Sequence, residues 1–98
     1  MHNIPTPEGL QAVLWSKKLN NIDINKDKNY IINQVLAYGL IEHIQWLFKV
    51  YSRNTIIETF LENPSKIYSD KALNFIKFIL FENNPVNLDE KKYVRYPL

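Results

Sequence analysis

The chain has 98 residues, and its 12 lysines and arginines stand against 10 aspartates and glutamates, a net charge of +2 that is too mild to imply nucleic-acid binding by itself. A hydrophobic content of 46% with 13% aromatics marks a globular rather than a disordered chain, and a chain of this size buries roughly 65% of its unfolded surface, enough for one core. There is no cysteine, which excludes disulfides, thiolate zinc sites and a cysteine nucleophile, and suits a reducing cytoplasm.

The opening MHNIPTPEGL has no basic stretch followed by an apolar run, so a signal peptide is not expected. No uninterrupted apolar run exceeds that of Phe78 to Phe81, far short of the ~20 residues that cross a bilayer, so no membrane partner is expected either. The first predicted helix starts at Thr6-Pro7-Glu8. Thr6 can cap it and Pro7 suits the first helical position, where its missing N–H costs nothing. Leu10, Val13 and Leu14 share a face and Trp15 closes it. In the following SKKLNNIDINKD, Leu19, Ile22 and Ile24 alternate with polar residues. With no partner strand in sight, this reads as an irregular segment pinned by its apolar side chains.

The second helix runs from about Lys26 to Tyr38, with Asn25 as a cap. Ile31, Ile32, Val35 and Leu36 form its apolar stripe, while Lys28, Asn29 and Asn33 face outward. Gly39 ends it and is expected in the left-handed conformation open to glycine, so a valine there should be destabilising. The third helix, Leu40 to Tyr51, places Leu40, Ile41, Ile44, Leu47, Phe48 and Tyr51 on one face and His43, Trp46 and Val50 on a second flank. A helix apolar on two sides is expected in the middle of a bundle.

The fourth helix follows Ser52-Arg53-Asn54, with a capping box at Thr55 and Glu58 and a buried face of Ile56, Ile57, Phe60 and Leu61. Asn63-Pro64 stops it. The loop to the fifth helix carries two apolar anchors, Ile67 and Tyr68. Ser69 caps that helix, Asp70 suits its first turn, and residues 72 to 81 are so apolar that it reads as nearly all core. The tail VNLDEKKYVRYPL has no helical period. The expected architecture is all-α: a compact bundle of about five short helices over residues 1 to 84, with an irregular N-terminal segment and an extended C-terminal tail over residues 85 to 98.

Chemistry is sparse. His2 and His43 are the only histidines, and neither has the companions a metal site needs. Glu58 and Glu62 lie four apart on an exposed face, and Asp89 and Glu90 are adjacent in the tail, which is the pattern of solvated charge. GxSxG, GxxxxGK[ST] and GxGxxG are all missing, and two glycines leave no phosphate-cradling loop. An enzyme is therefore not expected, nor a catalytic residue, a cofactor or a metal. Two binding readings remain. The fourth and fifth helices can form a helix-turn-helix that presents Lys66, Lys71, Asn74 and Lys77 to DNA, though their linking loop is long for that motif. In the tail, Lys91, Lys92 and Arg95 interleave with Tyr93 and Tyr96, residue types that concentrate binding energy at protein interfaces. Trp15 is a further contact candidate. The aromatic content also leaves room for a homodimer.

The order of motifs resembles a family of small bacterial and archaeal helical proteins of unknown function. The resemblance rests on Leu14-Trp15, Ile22-Asp23, Val35-Leu36-Ala37-Tyr38-Gly39, Trp46-Leu47-Phe48 with Tyr51, and Ser69 with Leu73-Asn74-Phe75, and covers about residues 7 to 81. The chain departs from the pattern at Ser52, where glycine is common, and in its longer Asn63–Ser69 loop. Proteins of that family are often encoded beside nucleotidyltransferase toxins of the AbiEii abortive-infection type. The resemblance therefore implies an antitoxin-like partner role in the cytoplasm and transfers no catalytic residue.

Overall fold

In a computed structural model, residues 6 to 82 and 87 to 95 are described. Five helices carry them: α1 (Leu10–Val13), α2 (Lys28–Tyr38), α3 (Ile41–Val50), α4 (Arg53–Glu62) and α5 (Asp70–Phe81). Two 3₁₀ turns, Leu19–Asn21 and Glu90–Lys92, complete the order, and the described residues hold no strand. The radius of gyration, 13.1 Å, is that of a single packed body of this length.

The hub is α2, which packs against each of the other four helices. The expectation placed α3 there on the strength of its two apolar flanks. Instead Ile31 to Leu36 form an unbroken buried run, because neighbours cover α2 on every side, whereas α3 leaves Leu40 and Ile41 exposed. Asn33, expected to face outward, belongs to that run. Its Nδ2 donates to the carbonyls of Asn29 and Asn63, both at 3.1 Å, and its Oδ1 accepts from the Tyr68 hydroxyl at 2.8 Å. Every polar group of the buried amide is thus used, which is the condition for burying one without penalty.

Helix starts differ from the expected caps. Gly9, at φ 85°, turns the chain into α1, so neither Thr6 nor Pro7 begins a helix, and the helix ends before Leu14. A side chain at that φ is strained, which is why glycine stands there. Ahead of α2, Asp23 rather than Asn25 organises the turn: its Oδ1 accepts from the backbone N–H of Asn25 and Lys26 at 2.8 and 2.9 Å. Asp27 answers by accepting from the Asp23 N–H at 2.9 Å and from Lys17 at 2.6 Å. These donors hold both carboxyls below the usual aspartate range: for Asp23 chiefly the two backbone N–H groups, for Asp27 first the Asp23 N–H and then the Lys17 ammonium. Ser52 caps α4, accepting from Thr55 N–H at 3.1 Å, so the helix begins two residues before the expected capping box. Ser69 caps α5 as expected, accepting from Ala72 N–H at 3.1 Å.

Gly39 breaks the chain between α2 and α3 for a reason other than a left-handed turn. Its φ is −74°, open to any residue. A Cβ there would stand 2.6 Å from the Val35 carbonyl oxygen and 3.0 Å from the His43 Cβ. A side chain would be caught between the last turn of α2 and the first turn of α3. His43 is the other half of this corner. Its Nδ1 accepts from Leu40 N–H at 2.9 Å, which leaves Nε2 to carry the proton and donate to the Glu8 carbonyl, also at 2.9 Å. The buried ring thereby ties the start of α3 to the segment ahead of α1.

The described part of the tail is anchored in the core by one buried residue. Tyr93 is buried, and its hydroxyl donates to the Phe60 carbonyl at 2.8 Å. Tyr68 N–H donates to the Tyr93 carbonyl at 2.8 Å and Arg95 N–H to the Tyr68 carbonyl at 3.0 Å, an isolated parallel bridge. Phe60, Tyr68 and Tyr93 close into a triangle with ring centroids 4.6 to 5.9 Å apart. Burial pushes the hydroxyls of Tyr68 and Tyr93 up, so both remain proton donors. The salt bridge from Lys77 to Glu90, 3.0 Å, pins the second 3₁₀ turn to α5.

The fifth helix is less buried than its composition suggested. Leu73, Ile76 and Leu80 face the core, but Phe75 is partly and Phe78 largely exposed. Arg53, at the start of α4, donates to the carbonyls of Ile79 and Leu80 at 2.9 Å and satisfies the C-terminal end of α5.

Candidate interaction surface

Trp15, Tyr38 and Arg95 lie far apart in the chain, yet they meet on one face. The rings of Trp15 and Tyr38 are in edge contact, centroids 4.8 Å apart at 63°. The Arg95 guanidinium sits 5.8 Å from the Tyr38 ring centroid and its Nη1 donates to the Tyr38 hydroxyl at 3.3 Å. Such a stack is held by the attraction of a cation and of ring edges to an aromatic face. It stays open to solvent: Trp15 is 57% exposed and Arg95 is exposed.

Each member is carried on fixed backbone. Trp15 follows Leu14, which is fully buried. Gln11 then clamps the loop: its Nε2 donates to the carbonyls of Leu14 and Lys17 at 3.0 and 2.8 Å, and its Oε1 accepts from Leu19 N–H at 2.9 Å. Ser16 N–H donates to the Tyr30 hydroxyl at 3.0 Å and Lys17 pairs with Asp27. Leu19, Ile22 and Ile24 pack against the core, as expected of an irregular but anchored segment. Tyr38 is the last residue of α2, stopped by the Gly39 corner. Arg95 is held by its bridge to Tyr68. A groove lined by Trp15, Lys17, Lys18, Leu19 and Asn20 opens beside the tryptophan. Pre-ordered aromatic and arginine side chains lose little entropy on binding, so this face suits recognition of a partner surface.

The structure brings together two of the sequence candidates, Trp15 and Arg95, and adds Tyr38, which the sequence offered only as a helix end. Lys91 and Lys92 are exposed on the second 3₁₀ turn, which Asp89 caps by accepting from Lys91 N–H at 3.2 Å. Tyr93 faces inward and has no free surface to offer. Tyr96 lies outside the described residues. Of the four DNA candidates, Lys66, Lys71 and Asn74 are exposed, while Lys77 is half-buried and engaged by Glu90. Helices α4 and α5 each pack chiefly on α2 rather than on one another, and the open face of α5 carries Phe75 and Phe78 among its polar residues.

Among the described residues, no group of three or more His, Cys, Asp or Glu side chains is placed to hold a metal ion, and no helix is long and apolar enough to cross a membrane. No curated protein and no solved structure matches the chain. A family model described as a family of unknown function (DUF6922) matches residues 10–60, from the start of α1 into α4. Trp15 and Tyr38 fall within the match, and α5 and Arg95 lie beyond it.

Proposed function

This chain belongs to the DUF6922 family, a family of unknown function, and we propose that it is a non-enzymatic, antitoxin-like protein that binds and neutralises a cognate nucleotidyltransferase toxin. The observation that carries a binding role is the exposed Trp15–Tyr38–Arg95 stack, a cluster of the residue types that dominate interface energetics, mounted on anchored backbone. The partner class follows from the likeness of the motif order to proteins encoded beside AbiEii-type toxins. The chemistry is compatible. Nucleotidyl transfer is commonly run by metal ions held on carboxylates, so the mouth of such a site presents acidic groups that a guanidinium can engage in charge-assisted hydrogen bonds. Lys91 and Lys92, exposed shortly before Arg95, would speed the encounter. Seated there, the protein would block access of nucleotide or RNA.

Co-expression with the product of the adjacent gene, expected to be an AbiEii-type nucleotidyltransferase, one partner tagged, tests this. A stable co-eluting complex and restored cell growth are expected. Two proteins that elute separately, with growth still arrested, would overturn the proposal.

A further inference from the structure

A second face of the molecule is left without a partner. Helices α3 and α5 flank an apolar groove lined by Ile41, Ile44, Phe48 and Ile79, with Gln45 and Lys49 at its edge. Ile41 is 55% exposed, and Phe78, beside Ile79 on α5, is 60% exposed. Ile41 and Phe78 are large apolar side chains left in water beside this groove, and covering them on association is favourable. We propose that a second copy of this chain occupies it, α3 packing antiparallel on α3 of the other copy about a two-fold axis through Gln45.

The charge pattern of α3 argues for this occupant. Glu42 and Lys49 are both exposed, and they stand seven residues apart on the same flank of the helix. In an antiparallel pair centred between them, Glu42 of each copy faces Lys49 of the other, so the surface is complementary to itself, as a two-fold interface requires. Ile41 and Phe48, seven residues apart on one helix face, then lie at opposite ends of the contact, each within one to two residues of the other's counterpart across the axis. Gln45 meets its own copy, and an amide, both donor and acceptor, can pair with itself. Arg53 closes the far end, its guanidinium 5.8 Å from the Phe48 ring centroid, and keeps the ring in place. The groove shares no lining residue with the Trp15–Tyr38–Arg95 stack, so variants can test the two roles separately.

Sedimentation equilibrium of the full chain at tens to hundreds of micromolar decides the matter. A species of twice 11.7 kDa is expected. Glu42→Lys and Lys49→Glu should each weaken it by about tenfold in Kd at low salt, since two attractive pairs become repulsive, and the double reversal should restore it. Ile41→Glu should give a monomer. The charge variants sit at exposed positions and keep the test decisive if Ile41→Glu does not fold. A wild-type chain that stays monomeric overturns the proposal, and so does a dimer indifferent to all four variants.

Discussion

At the scale of single residues, Asn33 and Gly39 show how a side chain's role is set by what surrounds it. Asn33 sits in a sequence position that faces water on a helical wheel, and becomes a buried junction because the Asn63–Ser69 loop folds over it. Asn33→Leu would keep the volume and leave the Tyr68 hydroxyl and the Asn63 carbonyl unpaired. A loss of about 2–4 kcal/mol is expected, read from urea denaturation, because buried orphaned groups carry the full cost of their desolvation. Gly39→Ala should cost about 1–3 kcal/mol although its backbone angles suit alanine, since the added carbon meets a carbonyl oxygen that cannot move without unwinding α2. The sequence pointed to glycine at this corner but could not say why. Left-handed turns and close helix approach place the same residue, and only the position of Val35 and His43 separates them.

At the scale of elements, the helices were legible where apolar spacing or a cap stood in the local sequence: the Ile31, Ile32, Val35, Leu36 stripe, Ser69 ahead of α5, and the anchored stretch through Leu19, Ile22 and Ile24. What was not legible depends on neighbours. Periodicity ranks α3 above α2 as a core helix, yet burial is decided by how many elements stack on each, and α2 has four. The turn before α2 offers a test of its own. Asp23 and Asp27 are ionised at lower pH in the folded chain than the ordinary value near 3.8. Their stabilising contribution is therefore complete above that value and is lost as pH falls through the lowered folded values. The urea midpoint is expected to hold between about pH 7 and 5 and to fall below about pH 4. Asp23→Asn, which keeps an acceptor without the charge, should flatten that fall; an unchanged acid limb would show that the turn is not its source.

At the scale of the whole molecule, the tail is where sequence reasoning had least to work with. A segment without helical period can be loose or docked, and only the pocket formed by Phe60 and Tyr68 settles that Tyr93 is docked. Ending the chain at residue 86 would open that pocket and unpair both backbone groups of Tyr68, so a loss of about 3–5 kcal/mol is expected from a fold of marginal total stability. Truncation would then confound folding with binding, and point variants on the surface are the cleaner probe. The Trp15–Tyr38–Arg95 stack was only partly legible for the same physical reason: two of its members could be named as interface types, but no spacing along the chain announces that residues 15, 38 and 95 meet. The most direct measurement is calorimetric titration of an AbiEii-type nucleotidyltransferase with the wild-type chain, Trp15→Ala, Arg95→Ala, and Glu58→Ala as a control exposed on α4. Each of the first two variants is expected to lose at least tenfold in affinity, about 1.4 kcal/mol, with the control unchanged. Wild-type affinity in both Trp15→Ala and Arg95→Ala would contradict the assignment of this face as the contact surface.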